Sequence, residues 1–303
     1  MPPAARLLPD PALLARLGSL ELRARAVVEG WLAGRHRSPG RGFSVEFAEH
    51  REYSPGDDLR YLDWKVFGKR DRFQVKQFEA ETNLACTLAV DVSESMTYRS
   101  PAAPWTKLDC AKTAAAALAS LVLKQNDAAG CATFDDDQLE LLRASGKGGQ
   151  WGAILHRLEN AEPRAGGGTA AAAPSLGGLH ALADRLPPRS VVILLSDALA
   201  PAEDWLAAIK HLRHARHDVV LLQVIDPAEA EFPFEGVTLF RGLEGLGTET
   251  LDARSLADAY REEFGAHVRA LSTGCRDLGG DYALVRTDAP LDFTLAAFLT
   301  RRR

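Results

Sequence analysis

Five oxygen-bearing side chains offer this sequence's clearest chemistry. Asp91, Ser93 and Ser95 stand in the run Asp91-Val92-Ser93-Glu94-Ser95; Thr169 follows three glycines; Asp197 follows Ser196. Two carboxylates, Asp91 and Asp197, balance a dication, and three hydroxyls add neutral hard oxygens. Mg²⁺ takes six oxygens at about 2.1 Å and keeps some of them as water. Alternation along a loop turns Asp91, Ser93 and Ser95 to one side. With so few charged ligands the ion stays electrophilic, and an open position can accept a carboxylate from outside. Taken alone, Asp-x-Ser-x-Ser after a strand also suits a turn with a helix cap. Glu94 is read as facing solvent.

The elements that must position these residues are legible as a rhythm of apolar runs. Residues 84–90, apolar except for Thr87, predict a buried strand, with Asp91 directly after it. Residues 191–195 and 219–225 are similar, and Ser196-Asp197 follows the first of these. Helical spacing is expected over 108–123, 151–158, 175–186 and 256–278, with a strand pair at 128–134 and 138–142 around an acidic turn. A final strand at 281–285 and a closing helix at 291–299 complete the pattern. Continuous apolar strands alternating with helices predict an α/β fold: a doubly wound, mostly parallel central sheet with helices on both faces. In such sheets ligands sit beyond the carboxyl ends of the strands, where Asp91 and Asp197 are expected.

Before residue 83 the character differs. Residues 13–32 read as an N-terminal helix, and charged and aromatic residues then alternate at 45–47 and 73–78 as half-exposed strands of a small β-rich extension. A Pro55-Gly56 turn lies between them. The expected division is therefore residues 1–82, a helix with a charged segment, and 83–303, the α/β domain.

The 303 residues are 46% hydrophobic and 25% charged, an ordinary globular composition, with a net charge of −5. That weakly acidic balance gives no general attraction to nucleic acid or anionic lipid. No apolar run is long enough to span a bilayer. The four cysteines, Cys86, Cys110, Cys131 and Cys275, form no C-x-x-C pair. They read as buried free thiols in a reducing compartment, so a cytoplasmic protein is expected.

The set Asp91-x-Ser93-x-Ser95, Thr169 and Asp197 resembles the metal-ion-dependent adhesion site of von Willebrand factor A domains. The resemblance implies Mg²⁺, with Mn²⁺ or Ca²⁺ as alternatives, held by those five residues and completed by an acidic side chain of a protein ligand. It implies a direct or water-mediated role for Thr169 and a water-mediated one for Asp197. One departure is Ala198, where a glycine often follows the last aspartate. A second resemblance is to a bacterial family called domain of unknown function fifty-eight. It rests on Tyr53-Ser54-Pro55-Gly56-Asp57-Asp58-Leu59-Arg60-Tyr61-Leu62-Asp63-Trp64-Lys65, continuing through Arg72, Val75, Lys76 and Glu79-Ala80-Glu81. That family is commonly encoded beside MoxR-type AAA+ ATPases. The resemblance implies a non-enzymatic adaptor working with such an ATPase. Tyr53, Asp57, Asp58, Arg60, Asp63 and Trp64 are the partner-binding candidates.

Competing chemistries fit less well. Gly146-Lys147-Gly148-Gly149 lacks the G-x-x-x-x-G-K-[ST] pattern of a phosphate loop. Phosphoryl transfer through Asp91 wants a second aspartate where Ser93 stands. His211, His214 and His217 recur every three residues and read as an exposed basic helix rather than a zinc site. A metal-dependent hydrolase using the same carboxylates would need Glu94 or Asp135 as base. A scaffold with a degenerate metal loop is the third reading.

Overall fold

The computed structural model of the chain describes residues 10–35, 50–52, 74–76, 84–135, 138–163, 176–242 and 247–291. Thr169, the Tyr53-to-Trp64 motif and nearly all of the expected closing helix lie outside them. Contacts divide the chain into two units, residues 35–83 and the remainder. In the smaller unit, strands β1 (His50–Glu52) and β2 (Gln74–Lys76) pair antiparallel.

The larger unit is built on a six-stranded sheet. Its strands are β3 (Ala85–Asp91), β4 (Ala128–Phe134), β5 (Leu139–Ser145), β6 (Val191–Ser196), β7 (Asp218–Ile225) and β10 (Asp281–Arg286). Their spatial order is β10-β7-β6-β3-β4-β5. All neighbours run parallel except β5, which pairs antiparallel with β4. A separate ribbon, β8 (Val237–Arg241) with β9 (Thr248–Asp252), follows β7. It was not expected from the sequence. Val237 and Leu239 are exposed there, so its alternation puts apolar residues on the wet face and hides the usual pattern.

Helices cover both faces, as the apolar runs require. Every residue of β6 is buried, as are the last six of β3. On one face pack the helices Lys107–Lys124 and Gln150–Glu159, and on the other Gly177–Arg185, Ala202–His214 and Ala253–Asp277. Lys107–Lys124 buries Ala111, Ala114, Ala115, Ala116, Ala117 and Ala119 completely, and side chains this small let a helix lie close on the sheet. Thr106 caps its start, its hydroxyl accepting the Asp109 N–H at 3.0 Å. The single N-terminal helix expected over 13–32 is instead two, Pro11–Arg16 and Leu20–Arg35. The break falls at Gly18-Ser19, and the Ser19 hydroxyl accepts the Leu22 N–H at 3.1 Å. Leu14, Leu20, Ala24, Val27 and Val28 then join the first apolar face.

Gly130 shows why β5 can curl over β4. The register between these strands shifts between Ala129 and Cys131, the mark of a bulge. A Cβ at Gly130 would lie 2.7 Å from the Ala144 nitrogen and 2.8 Å from the Leu142 oxygen. Only glycine admits that approach.

The spaced histidines part company. His211 and His214 lie on the helix Ala202–His214, but His217 comes after it and is fully buried. Burial pushes its pKa below the ordinary histidine value. The fold therefore holds a neutral ring, while the unfolded chain takes up a proton below about pH 6.5. This contribution to stability is present above that pH and is lost as pH falls toward the lower folded value. Urea unfolding between about pH 7.5 and about pH 5.5 should show a smaller pH slope for His217→Asn than for wild type. Equal slopes would contradict this account.

Candidate metal crevice

Strands β3 and β6 are neighbours at the centre of the sheet, and the chain leaves them in opposite directions. From β3 it runs through Lys107–Lys124 to β4; from β6 it runs through Ala202–His214 to β7. This is the topological switch point, where a crevice opens beyond the strand ends. Asp91 is the last residue of β3, Ser196 is the last of β6, and Asp197 is the next.

A 3₁₀ turn, Glu94–Thr97, follows β3 and carries Ser95 inward, leaving Glu94 half-buried rather than in open solvent. The Ser93 and Ser95 hydroxyls lie 3.0 Å apart. Ser93 N–H donates to Asp91 Oδ1 at 2.8 Å, and the Ser196 hydroxyl donates to Asp91 Oδ2 at 2.5 Å. Ser196 Oγ accepts the Ala198 N–H at 2.9 Å. Ala198 has φ +52°, the left-handed region that glycine favours. The loop thus keeps a glycine-like backbone despite its methyl group, with His267 Nε2 2.7 Å from the Ala198 carbonyl.

Asp91, Ser93, Ser95 and Asp197 line one small cavity of about 40 Å³, together with Asp135, Leu199 and Trp205. Among the described residues, then, four of the five expected ligands come together. Asp91 is buried and forms no ion pair with a described residue. Burial, and next the Asp197 charge, push its pKa up to about 7, against the hydrogen bonds from Ser196 and Ser93.

Asp197 is situated differently. Its Oδ2 accepts from Lys107 Nζ at 2.8 Å, and the same ammonium donates to Glu229 Oε1 at 2.5 Å. Lys107 is fully buried. Burial alone would lower its pKa, but Asp197 and Glu229 outweigh it and hold the ammonium above the usual lysine range. Glu229 is aimed by a capping box on the short helix Pro227–Glu231: its Oε2 accepts the Asp226 N–H at 2.8 Å. Gln223 Nε2 holds the Asp197 carbonyl at 2.9 Å, and the Tyr282 hydroxyl holds Gln223 Oε1 at 2.6 Å.

The sequence reading missed Lys107, Gln223 and Glu229, and placed Ser196 at the strand end without giving it a role. The Asp226-Pro227-Ala228-Glu229 run does carry the capping signature. Nothing local tells that Glu229 also meets a lysine 122 positions earlier.

The donor set fits a hard dication better than a soft one. Among the described residues no three His, Cys, Asp or Glu side chains cluster as ligands, so a cation here would draw on serine hydroxyls. Positive charge beside Asp91 would also supply the counter-ion that Asp197 finds in Lys107.

These features define a doubly wound α/β domain with an acidic, hydroxyl-lined crevice at the switch point of its sheet. The chain belongs to the family described as protein of unknown function DUF58, whose model matches residues 49–273. Uncharacterized protein Rv1480 of Mycobacterium tuberculosis is 28% identical over 299 residues, covering 97% of this chain and 91% of that protein. Among solved structures, conserved hypothetical protein BatB from Bacteroides thetaiotaomicron aligns over 71% of this chain and 97% of its own, at 19% identity and a TM-score of 0.46. The VWA domain of SpRpn10 aligns over 71% of this chain and 94% of its own, at 12% identity and a TM-score of 0.37. Among the described residues no helix is long and apolar enough to cross a membrane.

Proposed function

We propose that the crevice holds a divalent cation, Mg²⁺ before Mn²⁺ or Ca²⁺, and that the cation grips an acidic side chain of a protein partner without catalysis. Asp91, Ser93 and Ser95 would hold it, with Asp197 as the second carboxylate and Thr169 as a donor from outside the described residues. The observation that carries this reading is Asp91 itself: a buried carboxylate with no ion-pair partner among the described residues, beside two hydroxyls in a shared cavity. Lys107 sharpens it. With Asp197 partly neutralised, the crevice presents less negative charge to a cation, which leaves the cation free to attract a further carboxylate.

The wider proposal is a cytoplasmic adaptor acting with a MoxR-type AAA+ ATPase. In that setting Tyr53, Asp57, Asp58, Arg60, Asp63 and Trp64, in the sequence before β3, form a second partner surface.

Thermal melts with Mg²⁺ and with chelator test the cation. At a hundred times its Kd, Mg²⁺ should stabilise the wild type by about 2.7 kcal/mol. Asp91→Ala should not respond. Equal responses would sink the reading. Metal-dependent hydrolysis is the second reading, because Asp135 lines the same cavity. Turnover of phosphoesters or peptides with Mg²⁺ or Mn²⁺, lost in Asp135→Asn, would favour it.

A further inference from the structure

Beside the crevice lies a second, larger cavity of about 410 Å³. Tyr98, Phe232, Phe234, Phe240 and Tyr260 wall it. The rings brace one another: Phe232 and Tyr260 centroids are 4.5 Å apart, and Phe234 meets Phe240 edge-on at 5.5 Å. Such packing makes the wall pre-formed rather than adaptable.

Three observations tie this cavity to the crevice and to an acidic ligand. Ser95, Leu199 and Ala200 line both cavities, so the two are adjacent. Leu199, at the boundary, is 50% exposed, an apolar side chain left in water between the two. Arg241 lines the aromatic cavity, is exposed, and forms no ion pair among the described residues. Val237 and Leu239 share its face of the ribbon by strand alternation and are 80% and 67% exposed.

We infer that the aromatic cavity receives a bulky apolar side chain, of the Phe, Trp, Leu or Met class, next to the acidic residue that the cation grips, in one extended segment of the partner protein. This rests on the cation reading above. Side chains two residues apart in an extended segment share a face and lie about 6.6 Å apart, so that step reaches from the crevice into a cavity that shares its wall. The cation and Arg241 both attract negative charge, so the segment is acidic around its apolar residue. The two subsites recognise different things: the cation selects a carboxylate, and the aromatic wall selects size and apolarity.

An array of tethered hexapeptides tests this. Each carries a central Asp or Glu with every residue type in turn at the positions one and two residues away, and Asn or Gln in place of the acid as controls. The tagged full chain is applied in Mg²⁺ and in chelator. Wild type should prefer a large apolar neighbour over Ala by about tenfold, only beside an acid and only with Mg²⁺. Phe234→Ala and Leu199→Ser should lose most of that preference yet keep the requirement for acid and Mg²⁺. Leu199 is exposed, so its variant keeps the test sound if Phe234→Ala fails to fold. Acid- and Mg²⁺-dependent binding with no apolar preference would overturn the inference and leave the cation reading standing. Binding indifferent to acid and Mg²⁺ would overturn both. No binding to any peptide would overturn the inference, since a segment of this chain or a partner of other chemistry then covers the wall; the Mg²⁺ melts decide the cation reading separately.

Discussion

Lys107→Met is expected to destabilise the protein by about 3–5 kcal/mol, because it strands one buried and one partly buried carboxylate. Lys107 has no exposed surface, and its ammonium reaches both Asp197 and Glu229. Methionine matches its length and apolar stem, so the loss is of charge rather than of volume. Glu229→Gln added to Lys107→Met should recover part of the stability, because it removes one of the two unpaired charges. In a double-mutant cycle the pair should couple by about 1–3 kcal/mol. Denaturant unfolding in chelator measures this without interference from a bound ion. Additive single effects would mean that Lys107 and Glu229 do not act as a pair. The same variant carries a second readout. Removing a positive charge beside Asp197 makes the crevice more negative, so Mg²⁺ should stabilise Lys107→Met more than wild type.

Trp205 supplies the second large effect. It is 1% exposed, lies on the helix Ala202–His214 and lines the crevice cavity. Trp205→Ala should cost about 3–5 kcal/mol by leaving a void in a packed face. Trp205→Phe should cost far less than its lost volume suggests. The indole nitrogen is buried without a hydrogen-bond partner among the described residues, a burden of about 1–3 kcal/mol that phenylalanine does not carry. Urea midpoints of the two variants decide this. If Phe costs as much as Ala, the indole N–H has a partner in solution, and a water in the cavity is the natural one.

Asp91, Ser93, Ser95 and Asp197 were legible as a set because the two strands that lead into them are almost wholly apolar. Such runs state both the type of element and its end, and a parallel sheet brings strand ends together. The extra break at Gly18-Ser19 and the ribbon of β8 and β9 were not legible. The first depends on a local cap that competes with helical spacing, and the second inverts the alternation on which strand recognition relies.

The crevice loop, then, was written in the sequence by itself: residue types, order and position at strand ends all follow from local pattern. The tertiary structure alone decided the charges around it. Lys107 opens a helix, Asp197 ends a strand turn and Glu229 sits in a capping box, each with a sufficient local explanation. Only packing brings an ammonium between two carboxylates while leaving Asp91 without one among the described residues, because burial makes each charge depend on neighbours far away along the chain. The aromatic wall beside the crevice has the same origin. Its rings come from the end of the 3₁₀ turn after β3, the ribbon, the end of a short helix with the segment after it, and a long helix, and their common face exists only once those elements are packed.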